Sequence, residues 1–134
     1  MAVATKKRKH GRILMFLGLS HALLGGSPWA FGEQFSGFID EWFFAISDGL
    51  FEFPLLGGQM HYPNFAAFWF VYFGLLLIVL GVSVDALEEA AQRIPKRLTW
   101  CYLVTVLVGV FMIPFSGMTF LMLPHAGFML LERE

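Results

Sequence analysis

The chain has 134 residues, room for a single domain. It is 57% hydrophobic, against about 45–50% in soluble domains, and its mean hydropathy is +0.68. Its apolar residues come in long blocks, which excludes an ordinary soluble domain and reads as an integral membrane protein. The net charge of −1 conceals an asymmetry. Lys6, Lys7, Arg8, Lys9 and Arg12 open the chain, Arg93, Lys96 and Arg97 sit in its middle, and Arg133 closes it. Between Ile13 and Gln92 there is no Lys or Arg, while Glu33, Asp40, Glu41, Asp48 and Glu52 fall in that interval, followed by Asp85, Glu88 and Glu89. The lone Cys101 excludes an intramolecular disulfide and a multi-cysteine metal site. There is no glycine-rich phosphate loop and no HExxH motif, and a basic tail directly before a span does not point to nucleic acid.

In chain order, residues 1–12 form a basic tail beside which the first apolar segment runs from about 13 to 31. It has the outline of a signal peptide, with a basic start and a short apolar run before SPWA. Its aromatic continuation past Pro28 and its poor cleavage box favour an uncleaved helix. Residues 32–63 form a loop in which Phe35, Phe38, Ile39, Trp42, Phe43, Ile46 and Leu50 recur at i, i+3, i+4, i+7 spacing. That predicts an amphipathic interfacial helix over about 34–50, with Asp40, Glu41, Ser47 and Asp48 at other positions. Gly57, Gly58 and Pro63 break the chain before the second span, residues 64–84, which carries no charge. The polar DALEEAAQRI continues that helix into water. From Leu98 to Leu131 no residue is charged. Thirty-four residues are too many for one span and few for two, so PFSG at 114–117 is read as a turn between short spans of about 97–113 and 117–131. A re-entrant last segment broken at Pro124 is the other reading.

The expected fold is therefore all-α: a four-helix transmembrane bundle with an amphipathic helix in its first outside loop, one membrane domain over 1–134. All nine bases then agree with a single orientation, both termini and the central loop in the cytoplasm of the plasma (inner) membrane and the acidic loop outside.

The stretch GLSHALLGG, residues 18–26, sets an imidazole in an apolar helix. Gly18, Ala22 and Gly25 share a narrow arc, the small-xxx-small spacing that lets two backbones approach, and His21 borders it. Its plainest reading is a neutral ring hydrogen-bonded across the bundle, since an imidazole in lipid is costly. The other is a ligand-binding or proton-handling role. His125 follows Pro124, which leaves the carbonyl of Phe120 without its helical donor. Two histidines on two spans are compatible with a bis-histidine haem or a quinone site, with Tyr72 and Thr119 as candidate hydrogen-bond partners. Asp40, Glu41, Trp42 and Asp48 are candidates for an outer rim over the bundle mouth, though a solvated helix face accounts for the carboxylates equally. No metal site is read from the sequence.

Three stretches, GRILMFLGLSHALLGG, AFWFVYFGLLLIVLG and PFSGMTFLMLP, together resemble a bacterial family of small four-helix membrane proteins classed as a domain of unknown function, and more faintly the DoxX-like four-helix proteins. The matching positions are Gly11 and Arg12, His21, and Pro114 with Ser116 and Gly117. The resemblance implies four spans and points to His21; it carries no activity. The leading functional expectation is an accessory subunit of a larger membrane complex, or a holder of an apolar small molecule or lipid. The alternatives are a redox or proton-handling component using His21 and His125, with haem or quinone, and a homo-oligomeric transporter or channel unit.

Overall fold

A computed structural model describes residues 9–40, 58–91 and 93–132. Among these the chain is all-α: α1 His10–Gly25, α2 Gly32–Asp40, α3 Tyr62–Ala91, α4 Lys96–Met112, a π-helical turn Met118–Met122, and α5 Leu123–Leu131. One helix among the described residues, over Tyr62–Ala90, is long and apolar enough to cross a membrane. Its 29 residues span about 43 Å at 1.5 Å per residue, well beyond the ~30 Å hydrocarbon core. The polar DALEEAA is helical through Ala91.

The remaining elements are shorter, and local chemistry explains where they stop. α1 ends at Gly25 rather than near residue 31. The N–H of Gly26 still reaches the carbonyl of Ala22, but Ser27 then folds back, its N–H and hydroxyl both donating to the carbonyl of Leu24. Pro28 follows two residues after the last helical turn closes, as it commonly does past a helix end. α2 starts at Gly32, two residues before the expected amphipathic helix, and is described as far as Asp40. The rest of that expected helix, with Glu41, Trp42 and Asp48, lies outside the described residues. α4 gives way at Ile113, whose extended φ of −136° and ψ of 81° are what a residue before proline adopts. The PFSG stretch does turn the chain. The Ser116 hydroxyl accepts from the N–H of Met118, and its carbonyl accepts from the N–H of Thr119. The last segment is helical through Pro124 and not broken there. Ahead of the proline the helix widens into a π turn, in which the N–H of Leu123 donates to the carbonyl of Met118. The wider turn relieves the pressure of the Pro124 ring on the carbonyl four residues back.

The chain divides into two compact units, Gly11–Ser83 and Met1–His10 with Val84–Glu134. In the first, α1 and α3 cross backbone against backbone. A Cβ on Gly18 would lie 2.6 Å from the carbonyl oxygen of Gly74, and one on Gly74 would lie 2.8 Å from the backbone nitrogen of Ala22. Nothing larger than hydrogen fits at either position. The small-residue arc of α1 is thus its contact face, and the large residues Phe16, Leu19, Leu23 and Leu24 are turned outward. On α3, Leu75, Leu76, Val79 and Val82 are likewise exposed, whereas Ala67 and Leu77 are buried.

In the second unit α4 and α5 present matching buried stripes. Thr99, Tyr102 and Val106 fall at i, i+3, i+7 on one, and Met122, His125, Ala126 and Met129 at i, i+3, i+4, i+7 on the other. Beside the connecting turn, Met118 lies over Gly109, where any side chain would collide with its sulfur.

Candidate functional site

The buried polar side chains among the described residues are few: His10, Thr99 and His125, with the Tyr102 hydroxyl beside them. Three of these four join in one chain. α4 carries Tyr102 inward on its buried stripe, and the Tyr102 hydroxyl lies 3.2 Å from Nδ1 of His125. α5 carries His125, whose Nε2 is 3.4 Å from Nδ1 of His10, the first residue of α1. Nε2 of His10 is in turn 3.1 Å from Oε2 of Glu132, which follows directly on α5. The rings are tilted at 48° with centroids 5.4 Å apart for the two histidines, and set edge to face for Tyr102 and His125.

The surroundings fix the end of this chain. Glu132 also accepts from Nζ of Lys9 through its other oxygen, and that hydrogen bond, then the Lys9 charge and His10, hold its carboxyl below the usual glutamate range. Lys9 lies 4.4 Å over the Phe128 ring, which packs against His10 as well. The backbone N–H of His10 points to a Glu88 carboxylate oxygen at 3.4 Å, an acid placed where the N-terminal end of a helix favours one.

An ionised carboxylate only accepts. With both rings neutral, His10 carries its proton on Nε2, toward Glu132, and its Nδ1 is bare. The group facing that bare nitrogen must donate, so His125 carries its proton on Nε2. Its own Nδ1 is then bare and accepts from the Tyr102 O–H. Every donor in the neutral chain points the same way, from Tyr102 through His125 and His10 to Glu132. The buried donors and acceptors of both rings are thereby satisfied, which a buried polar group requires.

Of the residues singled out from sequence, His125 belongs to this chain and the others do not. His21 lies in the Gly11–Ser83 unit. Its ring is stacked on Phe70 at 3.9 Å and 17°, meets Phe73 edge-on, and hydrogen-bonds the backbone of Phe70. Tyr72 is exposed on α3, stacked on Phe68 at 5.2 Å and edge-on to Trp69, in an aromatic row that Phe65 extends. Thr119 donates to the carbonyl of Pro114 at 2.6 Å, so the hydroxyl serving His125 is that of Tyr102. Asp40 ends α2, and Glu41, Trp42 and Asp48 lie outside the described residues. Among the described residues no group of three or more His, Cys, Asp or Glu is arranged to hold a metal ion. A bis-histidine haem needs a free ring nitrogen on each ligand, and both nitrogens of His125 are taken by Tyr102 and His10.

His10 is the residue that sequence reasoning missed. It closes the run KKRKH, where a histidine reads as one more basic group at the membrane surface. The clue lay in its place just before the first apolar segment, with Glu132 just after the last. Tyr102 was visible only through its i+3, i+7 companions Thr99 and Val106.

The model of a family of unknown function (DUF6463) matches residues 5–134 of the chain. No curated protein and no solved structure matches it.

Proposed function

The chain belongs to DUF6463, a family of unknown function, and from that premise we propose that it is a four-span protein of the plasma (inner) membrane acting as an accessory subunit of a larger membrane assembly or homo-oligomer. The spans are α1, α3, α4 and the last segment of π turn and α5, with both termini and the loop after α3 in the cytoplasm and the acidic loop outside. The distribution of all nine bases supports this orientation. α1 and α4, of 16 and 17 residues, cover about 24–26 Å, so they match a locally thinned bilayer or one met by snorkelling Arg12, Lys96 and Arg97.

One observation carries the choice of partner over ligand. The α1–α3 crossing is closed by glycine, with backbone meeting backbone, and leaves no space for an apolar molecule between these two helices. Their large apolar side chains point outward instead, Leu19 and Leu23 from α1 and Leu76 and Val79 from α3. A surface of this kind engages lipid and neighbouring helices. A photo-crosslinking residue placed at Leu23, Leu76 or Val79 is expected to give a discrete protein adduct in membranes. Lipid adducts alone at all three positions would contradict the accessory role.

A second reading, a proton-handling component, is favoured by the hydrogen-bonded chain of Tyr102, His125, His10 and Glu132. In that reading His10 takes the place beside His125 expected for His21. The full engagement of His125 speaks against haem and for proton transfer.

A further inference from the structure

We propose that Tyr102, His125, His10 and Glu132 form a proton relay, which passes a proton between the Tyr102 hydroxyl and the cytoplasmic surface at Glu132; this rests on the second reading above. The geometry supplies each link: 3.2 Å from the Tyr102 hydroxyl to His125, 3.4 Å from His125 to His10, and 3.1 Å from His10 to Glu132. The entry end is buried, Tyr102 and His125 being 6% exposed each. The exit end is wet, Glu132 being 30% exposed.

The step balances in protons. An acid that reaches the Tyr102 oxygen gives it a proton while the phenol's own proton passes to Nδ1 of His125. The Nε2 proton of His125 passes to Nδ1 of His10, and His10 becomes an imidazolium beside the Glu132 carboxylate. Its Nε2 proton then leaves through Glu132 to water. One proton has entered and one has left, the phenol is restored, and both rings end neutral with their protons on Nδ1. A proton passed inward along the same links, from Glu132 to the Tyr102 oxygen, restores the resting tautomers, so the chain conducts in both directions.

The charged and titratable groups around the two rings come from every packed element. Lys9 and Glu132 flank His10, Glu88 of α3 faces its backbone N–H, and Tyr102 of α4 faces His125. The hydrogen bond from Lys9, and then its charge, favour the ionised form of Glu132.

A relay and a static clasp differ in what one added proton does. When His10 becomes an imidazolium, its Nδ1–H can be accommodated only by a bare Nε2 on His125. In a relay His125 therefore inverts, moving its proton to Nδ1, and Tyr102 changes from donor to acceptor while every contact is kept. In a static clasp His125 keeps its proton on Nε2 and the contact with His10 breaks. The test is nitrogen NMR of the full chain with labelled histidine in lipid bilayers, followed from neutral pH into acid. Where the nitrogen shifts show both rings neutral, both should carry their protons on Nε2. As His10 gains charge, His125 should invert in the same pH step, with the hydrogen bond between the rings retained. In Tyr102→Phe an inverted His125 would aim a buried N–H at no acceptor, so the inversion should be lost while His10 still charges. A wild-type His125 that stays on Nε2 as the ring pair separates overturns the relay alone. Rings that are not hydrogen-bonded at neutral pH overturn the relay and the proton-handling reading beneath it. The wild-type spectra decide between these outcomes whether or not the variant folds.

Discussion

His21 and His125 occupy similar apolar stretches, yet the residues around them put them to different uses. His21 borders an arc of glycine and alanine, and its ring is spent on Phe70: a stacked face and one backbone hydrogen bond. Interhelical hydrogen bonds within membranes average only about 0.6 kcal/mol, so the close approach of the helices matters more than the ring. At Gly18 a new Cβ meets the backbone oxygen of Gly74 and the backbone nitrogen of Ile78; at Gly25 it meets the side chains of Phe70 and Val71, which can rotate. Gly18→Ala should therefore cost about 1–3 kcal/mol, the usual range for overpacking, and Gly25→Ala clearly less. Thermal unfolding in mild detergent measures both, and an equal loss would mean that the crossing yields as readily at backbone as at side chains. The small-residue arc was legible in GLSHALLGG because its spacing is local. The partnership of His10 with His125 was not, since it joins residues 115 apart in sequence and depends on where two helix ends meet.

Glu132 has a pH signature of its own. Its carboxyl is held below the ordinary range, first by the hydrogen bond from Lys9. In the folded protein it keeps its charge further into acid than in the unfolded chain. Its contribution to stability is thus complete above the ordinary glutamate range and is lost as pH falls through the lowered value. Wild-type protein should lose melting temperature across that acid window by more than Glu132→Gln does. Identical acid profiles would show that the contact with Lys9 and His10 adds nothing to the fold.

At the scale of whole elements, hydropathy and punctuation located the helices well and their inner geometry poorly. The turn at PFSG, the uncharged second span and its polar extension follow from residues adjacent in sequence. The shorter α1 does not, because its end is set by Ser27 folding back on Leu24, a competition that apolar composition does not register. The π turn before Pro124 is a second case. Proline forbids an ordinary helical hydrogen bond there, and the chain can answer by breaking, kinking or widening; which it does depends on what the following turn must face. Here widening keeps Met122, His125, Ala126 and Met129 on one buried stripe. Pro124→Ala restores the N–H for the carbonyl of Phe120 and removes the reason for the wide turn. Backbone amides from Thr119 to His125 should then exchange more slowly with deuterated water, and the Tyr102–His125 contact should loosen as the stripe rotates. Unchanged exchange would mean that packing of Met118 over Gly109, and not the proline, sets the π turn.

For the molecule as a whole, the proposed orientation divides polarity by side of the membrane. It assigns Lys9, His10, Glu88, Glu132 and the bases Arg93, Lys96 and Arg97 to the cytoplasm, where the relay would open, and the acidic loop after α1 to the outside. This division was read from charge alone, and both the relay's exit and the span count depend on it. It is tested by labelling intact cells with a membrane-impermeant thiol reagent, in a Cys101→Ser background carrying a single new cysteine. Ser36 on α2 and Ala90 near the end of α3 are both exposed, so either cysteine is open to reagent on its own side. Four spans with cytoplasmic ends predict that Ser36→Cys is labelled in intact cells and that Ala90→Cys is labelled only after the membrane is permeabilised. Labelling of Ala90→Cys in intact cells, with Ser36→Cys protected until permeabilisation, would contradict the orientation and place the mouth of the relay on the outer face.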